Sequence, residues 1–195
     1  MERNPVNPPR VIPVRGDLAL FPVVTQDAEE IYVQVDRNRQ RLREWLPWLS
    51  DGYSLTEAKE FATRCQRDNA DRVSLTTCIR LEGRICGAIG LHRIDRLHRN
   101  TSIGYWLAEE YQGRGIMTAA CAALVTHAFH EYGLHRVEIR CATGNDRSRA
   151  IPLRLGFTEE GVLHEVEWLY DHWVDLRVFA MLERNWRAVD PAGIS

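Results

Sequence analysis

The chain has 195 residues, enough for one domain with a proper core, and its 45% hydrophobic and 27% charged residues are those of an ordinary globular protein. A formal net charge of −2 argues against a dedicated nucleic-acid binder, which is normally basic. Five cysteines without a Cys-x-x-Cys pair and seven histidines without a His-Glu-x-x-His pattern lead us to expect reduced thiols, a cytoplasmic setting and no metal.

Residues 1–14 carry Pro5, Pro8, Pro9 and Pro13 and are expected to be extended and flexible until the chain joins a sheet. They contain no apolar run fit for a signal peptide, and no later stretch has the apolar length of a membrane span. Residues 18–24 read as a first strand, edge-like because of Pro22. Thr25 or Asp27 caps the helical stretch that follows. Its arginines, Arg37, Arg39, Arg41 and Arg43, spread around the helix and read either as a solvated face or as a dock for an acidic partner. Pro47 ends that helix. Trp45 and Trp48 beside it are either core or the lining of a substrate cleft.

Ser54-x-x-Glu57 is a capping box, and Ala58, Phe61, Ala62 and Cys65 follow on one helical face. Residues 73–81 and 84–94 read as a hairpin whose second strand is apolar enough to be buried on both faces. Thr101–Leu107 is a strand rich in β-formers, with Gly104 marking a bulge or a close approach by another backbone.

Next comes Gln112-Gly113-Arg114-Gly115-Ile116-Met117-Thr118, and a long apolar helix begins at once and runs to a C′ glycine at Gly133. Unpaired N–H groups and a partial positive charge at a helix start, approached through glycines, suit an anion such as phosphate. No Walker spacing and no third glycine at dinucleotide-fold spacing are present. Val137, Ile139 and Cys141 alternate with polar residues as a half-exposed strand. Asn145–Leu155 is a short helix that should kink, because Pro152 has no N–H for the Ser148 carbonyl. Residues 162–169 and 173–183 form a last hairpin around Asp171-His172. The economical reading is one α+β domain over 15–187 with a loose tail at 188–195.

The strand, glycine-rich turn and helix, followed by Asn145-x-x-Ser148 and Leu155-Gly156-Phe157, resemble the GNAT N-acetyltransferase superfamily. Its Gln/Arg-x-x-Gly-x-Gly/Ala signature is matched by Gln112–Met117, with Met117 departing at the last position. The stretch from Ile103 to Met117 is most similar to the RimJ/RimL branch, the ribosomal-protein N-terminal acetyltransferases, and the likeness runs from about Leu18 to Arg184.

The resemblance implies the GNAT acyl-CoA N-acyltransferase fold: a mixed, mostly antiparallel seven-stranded sheet, about four helices, and a slot where the fourth and fifth strands (101–107 and 137–141) splay. Acetyl-CoA as cosubstrate would enter that slot, where free strand edges can bond its pantetheine amides, with Trp106 and Leu107 supplying backbone contacts. Gln112, Gly113, Arg114, Gly115, Ile116, Met117 and Thr118 would form the pyrophosphate cradle.

Acetyl transfer from a thioester to an amine needs a neutral amine, a stabilised carbonyl oxygen, a thiolate that can leave, and both reactants held in place. Asn145 is either a pantetheine contact or a plain N-cap, and both can hold. By the resemblance Ser148 protonates the departing sulfur; its other reading is an ordinary helix serine. Glu167 is the candidate base, its pKa raised by Trp168 and Tyr170, against the bland reading of a solvent-facing glutamate. Glu165 shares its parity and could substitute; His135, His164 and His172 are runners-up.

The expected acceptor is a protein N-terminal α-amine, of ribosomal-protein type: its pKa near ~8, against ~10.4 for lysine, suits a weak base. Rival readings are a small-molecule amine (polyamine or antibiotic), a non-catalytic acyl-CoA-binding module, and a ribosome- or RNA-associated factor. A homodimer is a further expectation from the family; a membrane or specific nucleic-acid partner is not expected.

Overall fold

The computed structural model describes residues 10–186, so the expectations for residues 1–9 and for the tail from 187 lie outside the described residues. The strands are β1 Ile12–Arg15, β2 Leu18–Pro22, β3 Leu75–Leu81, β4 Arg84–Leu91, β5 Asn100–Leu107, β6 Arg136–Ala142, β7 Thr158–Leu169 and β8 His172–Leu182. They form one sheet in the order β1-β2-β3-β4-β5-β6-β8-β7, antiparallel except for β5 beside β6. The α-helices are α1 Ala28–Arg37, α2 Arg39–Arg43, α3 Leu55–Ala70, α4 Ile116–Tyr132 and α5 Asp146–Arg154.

The sheet has eight strands where seven were expected. The addition is β1, inside the segment expected to be flexible to residue 14. Ile12 and Val14 are buried on one side, and Pro13 is tolerated because β1 is an edge strand with one partner, β2. One expected helix is two. It breaks at buried Asn38, whose side-chain amide donates to the Gln34 carbonyl at 2.9 Å and whose side-chain oxygen accepts from Glu109 N at 2.8 Å. The Ser54–Glu57 capping box, the C-cap at Gly133 and the Asn145 N-cap stand as read.

Two apolar layers sandwich the sheet. α4 buries Ile116, Met117, Cys121, Leu124 and Val125 against Ile103, Ile139 and Phe179, and α5 adds Ile151 and Leu155. On the other face Ile31 and Val35 of α1 pack with Ala58, Ala62 and Cys65 of α3. Pairing of β5 with β6 runs from Asn100↔Arg136 to Ile103↔Ile139 and stops. Beyond it β5 follows β4 to Leu107, while β6 follows β8 to Ala142. The sheet therefore opens into a wedge between Gly104–Leu107 and Arg140–Ala142.

The hairpin of β7 and β8 reaches back over the α1–α3 side. Tyr170 at its turn donates from its hydroxyl to the carbonyls of Leu46 (2.6 Å) and Leu49 (3.0 Å), and the Arg43 guanidinium lies 4.2 Å from its ring centre. Of the four arginines of this region Arg37 is exposed, as a solvated face would be, while Arg39, Arg41 and Arg43 are staples. Arg39 binds Asp36 and the carbonyls of Ser50, Asp51 and Tyr53; Arg41 pairs with Glu109; Arg43 pairs with Asp51.

Candidate active site

Gly113 (φ 74°) and Gly115 (φ 68°) both sit in the left-handed region that side chains other than glycine resist, and they turn the chain from β5 into α4. Gly115 is the N-cap of α4, and its carbonyl takes the first intrahelical bond, from Ala119 N at 3.0 Å. The N–H groups of Ile116, Met117 and Thr118 are therefore without intrahelical partners and point out of the helix start. The cradle is cross-braced by side chains. Gln112 donates to the Leu107 carbonyl at 3.2 Å and accepts from Arg147 of α5 at 2.9 Å. Arg15 of β1 donates to the Arg114 carbonyl at 2.8 Å, which brings a second cation to this turn. Arg15 was absent from the sequence reading, because only the pairing of β1 places it here. Arg114 is exposed, its guanidinium 5.8 Å from the Tyr111 ring centre.

Across the wedge stands α5. The Asn145 side-chain oxygen accepts from Ser148 N at 3.0 Å, so the capping role of Asn145 holds and its amide NH2 is the group left to meet a ligand. The Ser148 hydroxyl lies 3.0 Å from the Tyr105 hydroxyl, which also donates to the Ser148 carbonyl at 3.3 Å. That carbonyl is the one Pro152 cannot serve, so the proline is what opens it to the tyrosine. Burial raises the Tyr105 pKa well above its usual value, so the group is a neutral phenol at physiological pH. The sequence reading gave Tyr105 to strand packing, and the structure places it against Ser148.

The β4–β5 ladder decides which main-chain groups line the wedge. His92 N donates to Ser102 O and Ala108 N to Cys86 O, and the register between them is unbroken from Leu91↔Ile103 to Gly87↔Leu107. Even-numbered residues of β5 thus exchange bonds with β4, and the odd ones turn their N–H and C=O toward β6. Tyr105 and Leu107 face the wedge. Trp106, expected there, bonds to β4 opposite Ala88, and its side chain packs with the α1–α3 core.

Side-chain alternation then separates two sides. Tyr105 and Ser148 belong to the α4–α5 side. Glu167 pairs with Val174, whose parity on β8 is opposite to that of core-facing Phe179, so it belongs to the α1–α3 side. There a shallow cleft of about 390 Å³ lies between Glu44 and Trp45 on one wall and Leu169, His172 and Val174 on the other. Trp45 is thus cleft lining, and its ring lies 3.6 Å from where a Cβ at Gly144 would stand. Glu167 is half-buried, and desolvation raises its pKa above 4.5. Glu165 does not share its position: β7 bulges between Leu163 and Glu167, Glu165 adopts φ 47°, and its N–H donates to Asp175 at 2.8 Å. His164 Nδ1 is held at 2.9 Å by the same Asp175 and His172 Nδ1 at 2.6 Å by Asp171, while His135 lies at the far end of β6.

A wedge with free main-chain groups, a glycine turn into a helix start at its mouth and a hydroxyl pair beside it suit an acetyl-CoA-dependent N-acetyltransferase. The chain belongs to the GNAT acetyltransferase family, whose acetyltransferase (GNAT) domain matches residues 17–158.

Within the family it is similar to proteins named as ribosomal or ribosomal-protein acetyltransferases. YdaF of Bacillus subtilis (strain 168), which bears the name of a ribosomal N-acetyltransferase, is 39% identical over 166 residues, 83% of this chain and 88% of that protein. The ribosomal-protein-serine acetyltransferase of Escherichia coli (strain K12) is 29% identical over 88% of this chain and 96% of its own. The solved structure of RimL, the ribosomal L7/L12 α-N-protein acetyltransferase in complex with coenzyme A, superposes with a TM-score of 0.86 at 26% identity, covering 89% of this chain and 98% of that one.

Proposed function

We propose that this enzyme acetylates the N-terminal α-amine of a protein, of the ribosomal-protein type its relatives are named for. The observation that carries the reading is the division of the site by the sheet. Ser148 and Tyr105 stand on one side of the wedge, Glu167 and the cleft beside Trp45 lie on the other, and a thioester in the wedge would be reached from both.

In this reading the N–H groups of Gly113–Thr118, with Arg114 and Arg15, hold the diphosphate. The Leu107 and Tyr105 main chain and the Asn145 amide hold the pantetheine arm. Glu167, the base expected on this side, draws the ammonium into the cleft and holds the water into which a proton leaves it. The nitrogen attacks the thioester carbonyl directly, and as the C–S bond breaks the sulfur leaves with a proton handed on by Ser148, made good by the second proton that the nitrogen sheds, while the Tyr105 phenol keeps the Ser148 hydroxyl in place. A thiol with a pKa near ~8.5 leaves readily, so this help is modest.

The test is release of free CoA from acetyl-CoA in the presence of amine panels. Peptides with free N-termini are expected to support turnover, and N-terminally blocked peptides with internal lysines are not. Turnover on polyamines or aminoglycoside-type amines without any on peptides would overturn the acceptor assignment.

A further inference from the structure

Gly104 is the first residue of β5 beyond its last pairing with β6, so it marks the apex of the wedge. It is also where the His92 ring lies. A Cβ at Gly104 would collide with ring Nε2 and come within 2.7 Å of Cε1, closer than real Cβ contacts come. Only glycine lets the imidazole sit flat on the strand at this point. The ring is fixed from its other nitrogen: Nδ1 is 3.0 Å from the Ser102 hydroxyl, and His92 N donates to Ser102 O at 2.8 Å. Ser102 and Gly104 share the face of β5 opposite Tyr105, so Nε2 is turned toward the side of the sheet that also holds Glu167. The charged group facing the ring is Arg140 of β6. Arg140 is bound by Glu138 at 2.7 and 3.0 Å, and Arg136 holds the other oxygen of that carboxylate. Glu138 is thus occupied with arginines and leaves the ring without a carboxylate partner.

We propose that His92 is a second catalytic residue of the transfer, the acceptor of the proton that the ammonium must lose before it attacks. This rests on the acetyltransferase reading above and concerns a residue that reading does not use. The proton passes from R–NH3+ to Nε2, directly or through one water, while Nδ1–H donates to the Ser102 hydroxyl. The freed amine forms the N–C bond as the C–S bond breaks. The second nitrogen proton balances the departing thiolate by way of Ser148, and the imidazolium returns its proton to solvent. Desolvation first, and then the Arg140 charge, lower the His92 pKa from 6.5, which keeps the ring neutral and ready at physiological pH.

The test compares His92→Gln with wild type across pH. Thermal stability and the stabilisation given by added CoA are expected to match wild type, because the ring lies across the sheet from the cradle. kcat/KM is expected to fall by about 100-fold, the usual scale for a lost general base, and the acid limb of the pH profile below 6.5 should flatten. Ser102→Ala, which removes the partner of Nδ1, should cost less and move that limb to lower pH. If His92→Gln stays within twofold of wild type, or keeps the wild-type acid limb, the role falls while the enzyme reading stands. If wild type itself releases no CoA with any amine, both fall. A His92→Gln protein that has lost CoA binding would also overturn it, by showing that the ring supports the fold of the cradle.

Discussion

The two ends of this site are built by opposite means. The end proposed to hold the diphosphate is main chain: two left-handed glycines and three helix-start N–H groups, all within Gly113–Thr118. The end proposed for the acceptor is side chain: Glu44 and Trp45 from beyond α2, Val174 and His172 from β8, and Glu167 on β7 opposite Val174. A site of the first kind binds whatever carries the right anion, and little in it can vary without loss. A site of the second kind is free to vary, because each wall residue is replaceable without disturbing the backbone. In the proposed reading, grip on the donor and choice of acceptor are therefore separable.

The substitution that should break this contrast most is Gly115→Val. A β-branched residue at φ 68° is strained by about 1–3 kcal/mol and would turn the first N–H groups of α4. CoA affinity, measured by calorimetry, should drop at least about 100-fold, some 2.7 kcal/mol. Ser148→Ala tests the hydroxyl beside the wedge: kcat should fall about tenfold with the KM for acetyl-CoA unchanged, since an effect seen in kcat alone marks an interaction made in the transition state.

Glu167→Gln moves the test to the acceptor side. The wild-type carboxylate, with its pKa raised above 4.5, is the active form and is lost as pH falls through that raised value. The variant should be several-fold slower at pH 8 and lack that component of the acid limb. Smallest is Trp45→Ala, which opens one cleft wall: a few-fold rise in acceptor KM, with donor KM unmoved, would sharpen the separation. An equal rise in both would blur it.

The same contrast explains what could be read from the sequence. The glycine turn into α4 was legible because its parts are contiguous, and the caps at Ser54, Gly133 and Asn145 were legible for the same reason. The acceptor side was not. Glu165 and Glu167 are two residues apart and seem equivalent until the bulge opposite Asp175 removes one of them from register. Arg39, Arg41 and Arg43 look like a charged surface until their partners arrive from residues 36, 51, 53 and 109. Pro152 announced a carbonyl in need of a donor, but nothing local could say that the donor is a phenol 43 residues earlier. His92 and Gly104 were separated by a loop, and the glycine carried only the weak message that something comes near.

The phenol of Tyr170 also sets what can enter the groove. By clasping the carbonyls of Leu46 and Leu49 it fastens the tip of the hairpin to the stretch after α2, so the groove is buckled shut at that end. A polypeptide laid lengthwise would have to undo the buckle, whereas a terminus can slip in from the open side. Recognition of chain ends would then be a matter of topology before it is one of charge, and cutting the clasp with Tyr170→Phe should let internal lysines begin to compete.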